Sequence, residues 1–82
     1  MIEILDFYSP NCVPCNMLKR ELETFENVRY IDVMEDFDEA LKYDVRKAPT
    51  TIIFKNGVEV QRFVGVKTKA EIEEILNSNP AN

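Results

Sequence analysis

Ile2, Ile4, Leu5 and Phe7 place apolar side chains on both faces of one short stretch. A strand of that pattern must be covered on both sides, which demands a layered α/β arrangement rather than a sheet with one wet face. Residues 2–7 are therefore expected to form a central strand. Asp6 interrupts the pattern, on the same face as Ile2 and Ile4. Two readings of it stay open at the level of the residues. It is a polar residue at a strand end, or it is a buried carboxylate with a raised pKa, able to take a proton from a neighbour.

The neighbour that gives the second reading a purpose follows at once. Asn11-Cys12-Val13-Pro14-Cys15 holds the only two cysteines of the chain, three residues apart. A loop punctuated by Pro10 leads into it. A helical pattern leaves it, over residues 12–26, with Cys15, Leu18, Leu22 and Phe25 as the buried stripe. Cys12 then sits at the helix cap with its sulfur accessible, and Cys15 points inward. The unpaired N–H groups and positive dipole end of a helix N-terminus favour an anion, so a thiol there should lose its proton early. Pro14 falls in the first turn, where its missing N–H costs little. A structural zinc site wants about four Cys or His ligands, and this chain has two Cys and no His. No metal is expected. A disulfide closing so short a loop constrains little of the unfolded chain, which disfavours a purely structural bridge. Dithiol–disulfide exchange is the reading that remains. Lys19, Arg20, Glu21, Glu23 and Glu26 read as the solvated side of the helix.

Downstream, residues 28–33 read as a second strand, parallel to the first across the helix. Asp36 with Glu39 resembles a helix start, and a short helix through Ala40 and Leu41 should end near Asp44. Ala48-Pro49-Thr50 precedes a strand over 51–55. Asn56-Gly57 is a two-residue hairpin turn into a further strand over 58–64, which Gly65 breaks. Thr68 with Glu71 forms a capping box for the last helix, which carries Ile72, Ile75 and Leu76 on its inner stripe and stops at Asn77-Ser78-Asn79-Pro80. The order βαβαββα predicts a four-stranded mixed sheet with helices on both faces. Its most apolar strands, 2–7 and 51–55, should be central, and the thiols should lie at the carboxyl end of one of them.

At 82 residues the chain is expected to be one domain, 1–82. A net charge of -5 argues against nucleic acid or anionic membrane as partners, since both call for a basic footprint. No signal peptide or membrane-length apolar run is visible, and two reactive cysteines suit a cytoplasmic redox protein better than a disulfide scaffold. No long apolar patch asks for a partner, so a monomer is expected.

Taken in order, these features resemble the thioredoxin family over nearly the whole chain. A strand ends in Asp6-Phe7, and the first redox cysteine, Cys12, follows six residues beyond the Asp. A C-x-P-C motif closes at Cys15. Pro49-Thr50 opens the next central strand, Phe54-Lys55-Asn56-Gly57 makes the hairpin, and Val64-Gly65 precedes the last helix. The resemblance implies a thioredoxin-like fold and a protein-disulfide reductase with no cofactor, in which Cys12 attacks, Cys15 resolves and Asp6 assists Cys15. It implies that the bond before Pro49 is cis, an isomer that spacing alone would not have suggested. It implies that Ala48 offers its backbone to an extended substrate. Asn11, Val13, Pro14, Ala48, Pro49 and Gly65 would together contact substrate. The partners implied are disulfide-containing proteins, with a thioredoxin-type reductase or the glutathione system as donor. Asn11 and Val13 stand where members usually carry Trp and Gly, which alters the docking surface, and Tyr30 stands where members place a Lys near the buried Asp. The chain lacks the first β–α pair of a full thioredoxin and is of glutaredoxin size. A glutaredoxin-like exchange with glutathione, electron supply to ribonucleotide reductase, and a non-catalytic binding module are the alternatives.

Overall fold

The computed structural model describes residues 1–78. Its elements follow the expected order: β1 Ile2–Tyr8, α1 Val13–Leu22, β2 Val28–Asp32, α2 Phe37–Lys42, β3 Thr50–Lys55, β4 Val58–Val64 and α3 Lys69–Ser78. The four strands form one sheet in the order β2-β1-β3-β4. β1 runs parallel to β2 and antiparallel to β3, and β4 is antiparallel to β3. The two most continuously apolar strands are the central pair, because only a central strand keeps both faces and both edges from water.

The alternation along β1 separates two cores. Ile4 joins Ile53 and Phe63 of the sheet with Leu18 and Leu22 of α1 and Ile72 of α3. Leu5 and Phe7 join Ile31 and Ile52 with Ala40 of α2 on the opposite face. Helices thus cover both faces, and β1 is the shared wall. Tyr43 seals the α2 side with its ring 5.8 Å from that of Phe7 and 6.0 Å from that of Phe54, in tilted and edge-on geometries.

Local signals account for most of the boundaries. Asn56 and Gly57 both have positive φ, at 52° and 82°, as a two-residue hairpin turn of this twist requires. The Thr68 amide donates to Glu71 Oε1 at 2.8 Å and the Glu71 amide to Thr68 Oγ1 at 3.2 Å, a reciprocal capping box. Gly65, at φ 93°, ends β4.

Two expectations differ from the structure, and a third holds in place but not in detail. α1 stops at Leu22, four residues before Glu26, and Phe25 packs on the core from the following turn. The Phe25 amide donates to the Leu22 carbonyl, and Asn27, at φ 57°, turns the chain into β2. The apolar spacing survives the end of the helix because the turn continues the same curl. Asp36 is the N-cap of α2, as expected, but its side chain makes no cap hydrogen bond: the Glu39 amide donates to the Asp36 carbonyl at 3.1 Å and the Asp36 amide to the Asp32 carbonyl at 2.8 Å, while the Glu39 carboxylate accepts from Arg29 at 3.4 Å. Glu21 is no idle surface residue: its Oε1 accepts from the Lys69 amide at 2.7 Å, tying α1 to the first turn of α3. Of the expected helix stop, Asn79 and Pro80 lie outside the described residues.

Candidate active site

Register alone brings three loops to one end of the sheet. β1 ends at Tyr8 and releases the chain into residues 9–12. Phe7 pairs with Thr50, so Pro49 stands one residue further along, beside that loop. Thr50 pairs with Val64, which sets Gly65 opposite Pro49; the Gly65 amide donates to the Pro49 carbonyl at 2.9 Å. The Ala48–Pro49 peptide bond is cis. The carboxyl end of a central strand in an open α/β sheet is where such folds gather reacting groups.

Cys12 and Cys15 are joined by a disulfide across this end, with their Cα atoms 5.2 Å apart. Cys12 is the N-cap of α1 in extended conformation, and its Sγ accepts a hydrogen bond from the Cys15 amide at 3.2 Å. In this oxidised form that sulfur occupies the place a thiolate would take after reduction. The first turn of α1 carries no acidic residue, and Lys19 and Arg20 occupy its last turn. Nothing negative in that first turn therefore opposes an anion at the cap. Cys15 is buried on the stripe that continues through Leu18 and Leu22, as its spacing predicts. Cys12 is half-buried, and Asn11, Val13 and Pro14 are exposed, Val13 to 69%. Asn11 adopts a positive φ of 55° in the tight turn before the cap.

Asp6 is fully buried on the face covered by α1 and α3. It stands two residues beyond Ile4, which packs on Leu18, while Cys15 stands one turn before Leu18. Carboxyl and inner sulfur therefore approach the same end of the α1–β1 interface. Burial pushes the Asp6 carboxyl up to about 6, and the Lys19 ammonium pulls against that rise. Both carboxyl oxygens lack a hydrogen-bond partner among the described residues, as does the buried Thr51 hydroxyl.

Lys19 corrects its expectation as mere solvated surface. It is half-buried, with Nζ 4.0 Å above the ring centre of Tyr8 and 5.4 Å from that of Tyr30. Tyr8 ends the strand that carries Asp6 and Tyr30 lies on the strand beside it, so the Lys19 side chain lies back over the sheet. The signal was present in the sequence: Lys19 is four residues after Cys15 and shares its flank of the helix. Tyr30 faces Asp6 in the parallel register, and its hydroxyl is pushed to higher pKa by burial and then by the Asp6 and Glu23 charges. Among the described residues no three His, Cys, Asp or Glu side chains cluster as a metal would need, and no helix is long and apolar enough to cross a membrane.

The comparisons agree with this geometry. The family model described as Thioredoxin matches residues 2–78. Thioredoxin of Staphylococcus aureus is 32% identical over 85 aligned residues, covering 95% of this chain and 82% of the relative. Among solved structures, a point-mutant thioredoxin from Halobacterium salinarum superposes with TM-score 0.87 at 32% identity, over 95% of this chain and 74% of that one. Malassezia sympodialis thioredoxin gives TM-score 0.76 at 25% identity, over 96% of this chain and 76% of that one. With a cysteine pair at a helix cap, a cis proline beside it and a sheet of this order, and with the family match over residues 2–78, the chain belongs to the thioredoxin family and is a thiol–disulfide oxidoreductase that reduces protein disulfides.

Proposed function

We propose that electrons leave the reduced protein through Cys12 and that Asp6 manages the proton of Cys15. The Cys12 thiolate attacks one sulfur of a substrate disulfide, forming a mixed disulfide and expelling the other substrate sulfur as a thiolate. Cys15 gives its proton to the Asp6 carboxylate and becomes a thiolate in turn. It attacks Cys12 Sγ, closes the Cys12–Cys15 bond and releases the second substrate sulfur, which takes up a proton. Two electrons pass from the cysteine pair to the substrate disulfide. A donor then reduces the pair again.

The observation that carries this reading is the division of the two sulfurs. Cys12 caps the helix and accepts a backbone N–H, and Cys15 is sealed inside near a carboxyl that titrates at about 6. A buried base whose pKa lies close to neutrality is matched to a thiol that must ionise only on demand. Asn11, Val13, Pro14, Ala48, Pro49 and Gly65 surround the outer sulfur and form the docking rim for an extended substrate segment. The exposed Val13 offers that segment an apolar contact.

The donor is a thioredoxin-type reductase in preference to glutathione. The hairpin at Asn56-Gly57 and the match to thioredoxins over residues 2–78 support that choice. The protein works as a single-domain monomer in the cytoplasm, where dithiols are kept reduced. Insulin reduction with dithiothreitol as donor tests the assignment. Cys12→Ser should abolish it, and Cys15→Ser should accumulate a mixed disulfide. Insulin reduction by Cys12→Ser at the wild-type rate would refute the assignment. Turnover with glutathione but not with a thioredoxin-type reductase would overturn the choice of donor.

A further inference from the structure

One row of side chains crosses the sheet on the α1–α3 face: Tyr30, Asp6, Thr51 and Phe63, each opposite the next in register. Its two inner members, Asp6 and Thr51, are both 0% exposed. Three polar atoms sit there without a partner, namely both Asp6 carboxyl oxygens and the Thr51 hydroxyl. Buried polar groups in native proteins are almost always hydrogen-bonded. These orphans face each other on adjacent strands without a direct hydrogen bond, so a bridging water or a small side-chain rotation would satisfy both. Residues directly opposite on antiparallel strands have Cβ atoms about 5 Å apart, within reach of a direct bond or of one bridging water. Thr51 also breaks the apolar run of β3, whose neighbours Ile52 and Ile53 are fully buried. An aliphatic residue would meet every packing need at that position, so the hydroxyl calls for another purpose.

We propose that Thr51 is a positioning residue for the proton that Asp6 takes from Cys15: its hydroxyl donates to the ionised carboxylate, directly or through one water, and holds it toward the inner sulfur. The inference rests on Asp6 serving as the proton acceptor. Protons balance within the step. Cys15 loses one, Asp6 gains it, and Thr51 keeps its own, rotating from donor toward the carboxylate to acceptor from the carboxylic acid.

Other groups facing Asp6 are few. α1 supplies Lys19, whose charge favours ionisation, and Cys15 itself. β2 supplies Tyr30. β4 and α3 present the apolar Phe63 and Ile72. Thr51 is the one neutral hydroxyl buried at the carboxyl among the described residues.

Thr51→Val removes the hydroxyl and keeps the branched shape, and Thr51→Ser keeps the hydroxyl. The Asp6 carboxyl is titrated by carbon-13 NMR in reduced wild type and in both variants. The rate at which Cys15 resolves a preformed Cys12 mixed disulfide is followed against pH. Thr51→Val should raise the Asp6 midpoint by about one unit, the effect of losing one hydrogen bond to a charged group. Resolution should slow about five-fold at pH 6 and about two-fold at pH 7, as the ionised fraction falls. Thr51→Ser should keep the wild-type midpoint. An unchanged midpoint in Thr51→Val overturns the proposal, as does an equal rise in Thr51→Ser. Asp6→Asn separates the two layers: if it resolves the mixed disulfide at the wild-type rate, the role of Asp6 falls, and the Thr51–Asp6 pairing is still decided by the titration alone.

Discussion

Replacing Asp6 by Asn should change how stability depends on pH. In the fold the carboxyl titrates at about 6 instead of 3.8, because burial penalises the charge by more than Lys19 relieves it. Well below pH 3.8 the group is protonated both folded and unfolded, and its full favourable contribution is present. Between the two values the folded chain holds a proton that the unfolded chain releases, so stability falls as pH rises. Well above pH 6 the loss is complete. A shift of about two units corresponds to about 3 kcal/mol, a large part of the net stability of a domain of this size. Asn cannot ionise, so Asp6→Asn should lose this slope. Chemical unfolding of the oxidised protein from pH 4 to pH 8 measures it. Wild type should lose about 2.5 kcal/mol more than the variant across the range, since at pH 4 the unfolded carboxyl is already partly ionised. Parallel curves for the two proteins would refute the placement of a protonatable carboxyl in the core. The substitution should also slow mixed-disulfide resolution, since Asn cannot take up the Cys15 proton.

Two further perturbations probe the neighbourhood. Lys19→Met should push the Asp6 midpoint higher by removing the cation, and cost about 0.5–1 kcal/mol from its seat on Tyr8 and Tyr30; NMR titration and thermal melts report the two effects separately. Thr68→Ala should open the α3 capping box, cost about 1 kcal/mol and lower Tm by about 5 °C, with insulin reduction unaffected.

The order of elements and the two central strands were legible because they rest on local signals: the two-sided apolar run of β1, the Asn56-Gly57 turn and the Thr68–Glu71 box. The end of α1 was not legible. Phe25 keeps helical spacing after the helix has ended, so periodicity carried the expectation to Glu26 although the backbone turns at Leu22. The Asp36–Glu39 spacing located the start of α2, whose N-cap is Asp36, but not its hydrogen bonding: the Glu39 amide donates to the Asp36 carbonyl, and the Glu39 side chain pairs with Arg29, a partner that only tertiary packing sets. At the site, the inward Cys15 and outward Cys12 followed from spacing alone. Asp6 stayed ambiguous, because burial of a strand residue is decided by what packs upon it. Lys19 and Glu21 looked like surface for the same reason. Their partners, Tyr8 and Tyr30 for one and the α3 amide of Lys69 for the other, are set by tertiary packing. Thr51 became conspicuous only when the strand register set its hydroxyl beside a carboxyl.

Disulfide exchange by this protein depends on a reactive outer sulfur at the cap of α1. Alkylation of the reduced protein by iodoacetamide as a function of pH, with the modified residue located by mass spectrometry, measures this directly. Cys12 should react first, with an apparent pKa clearly below the value of about 8.5 of an ordinary thiol, while Cys15 stays protected. Cys12 reactivity that rises only near that ordinary value, or faster labelling of Cys15, would contradict the account.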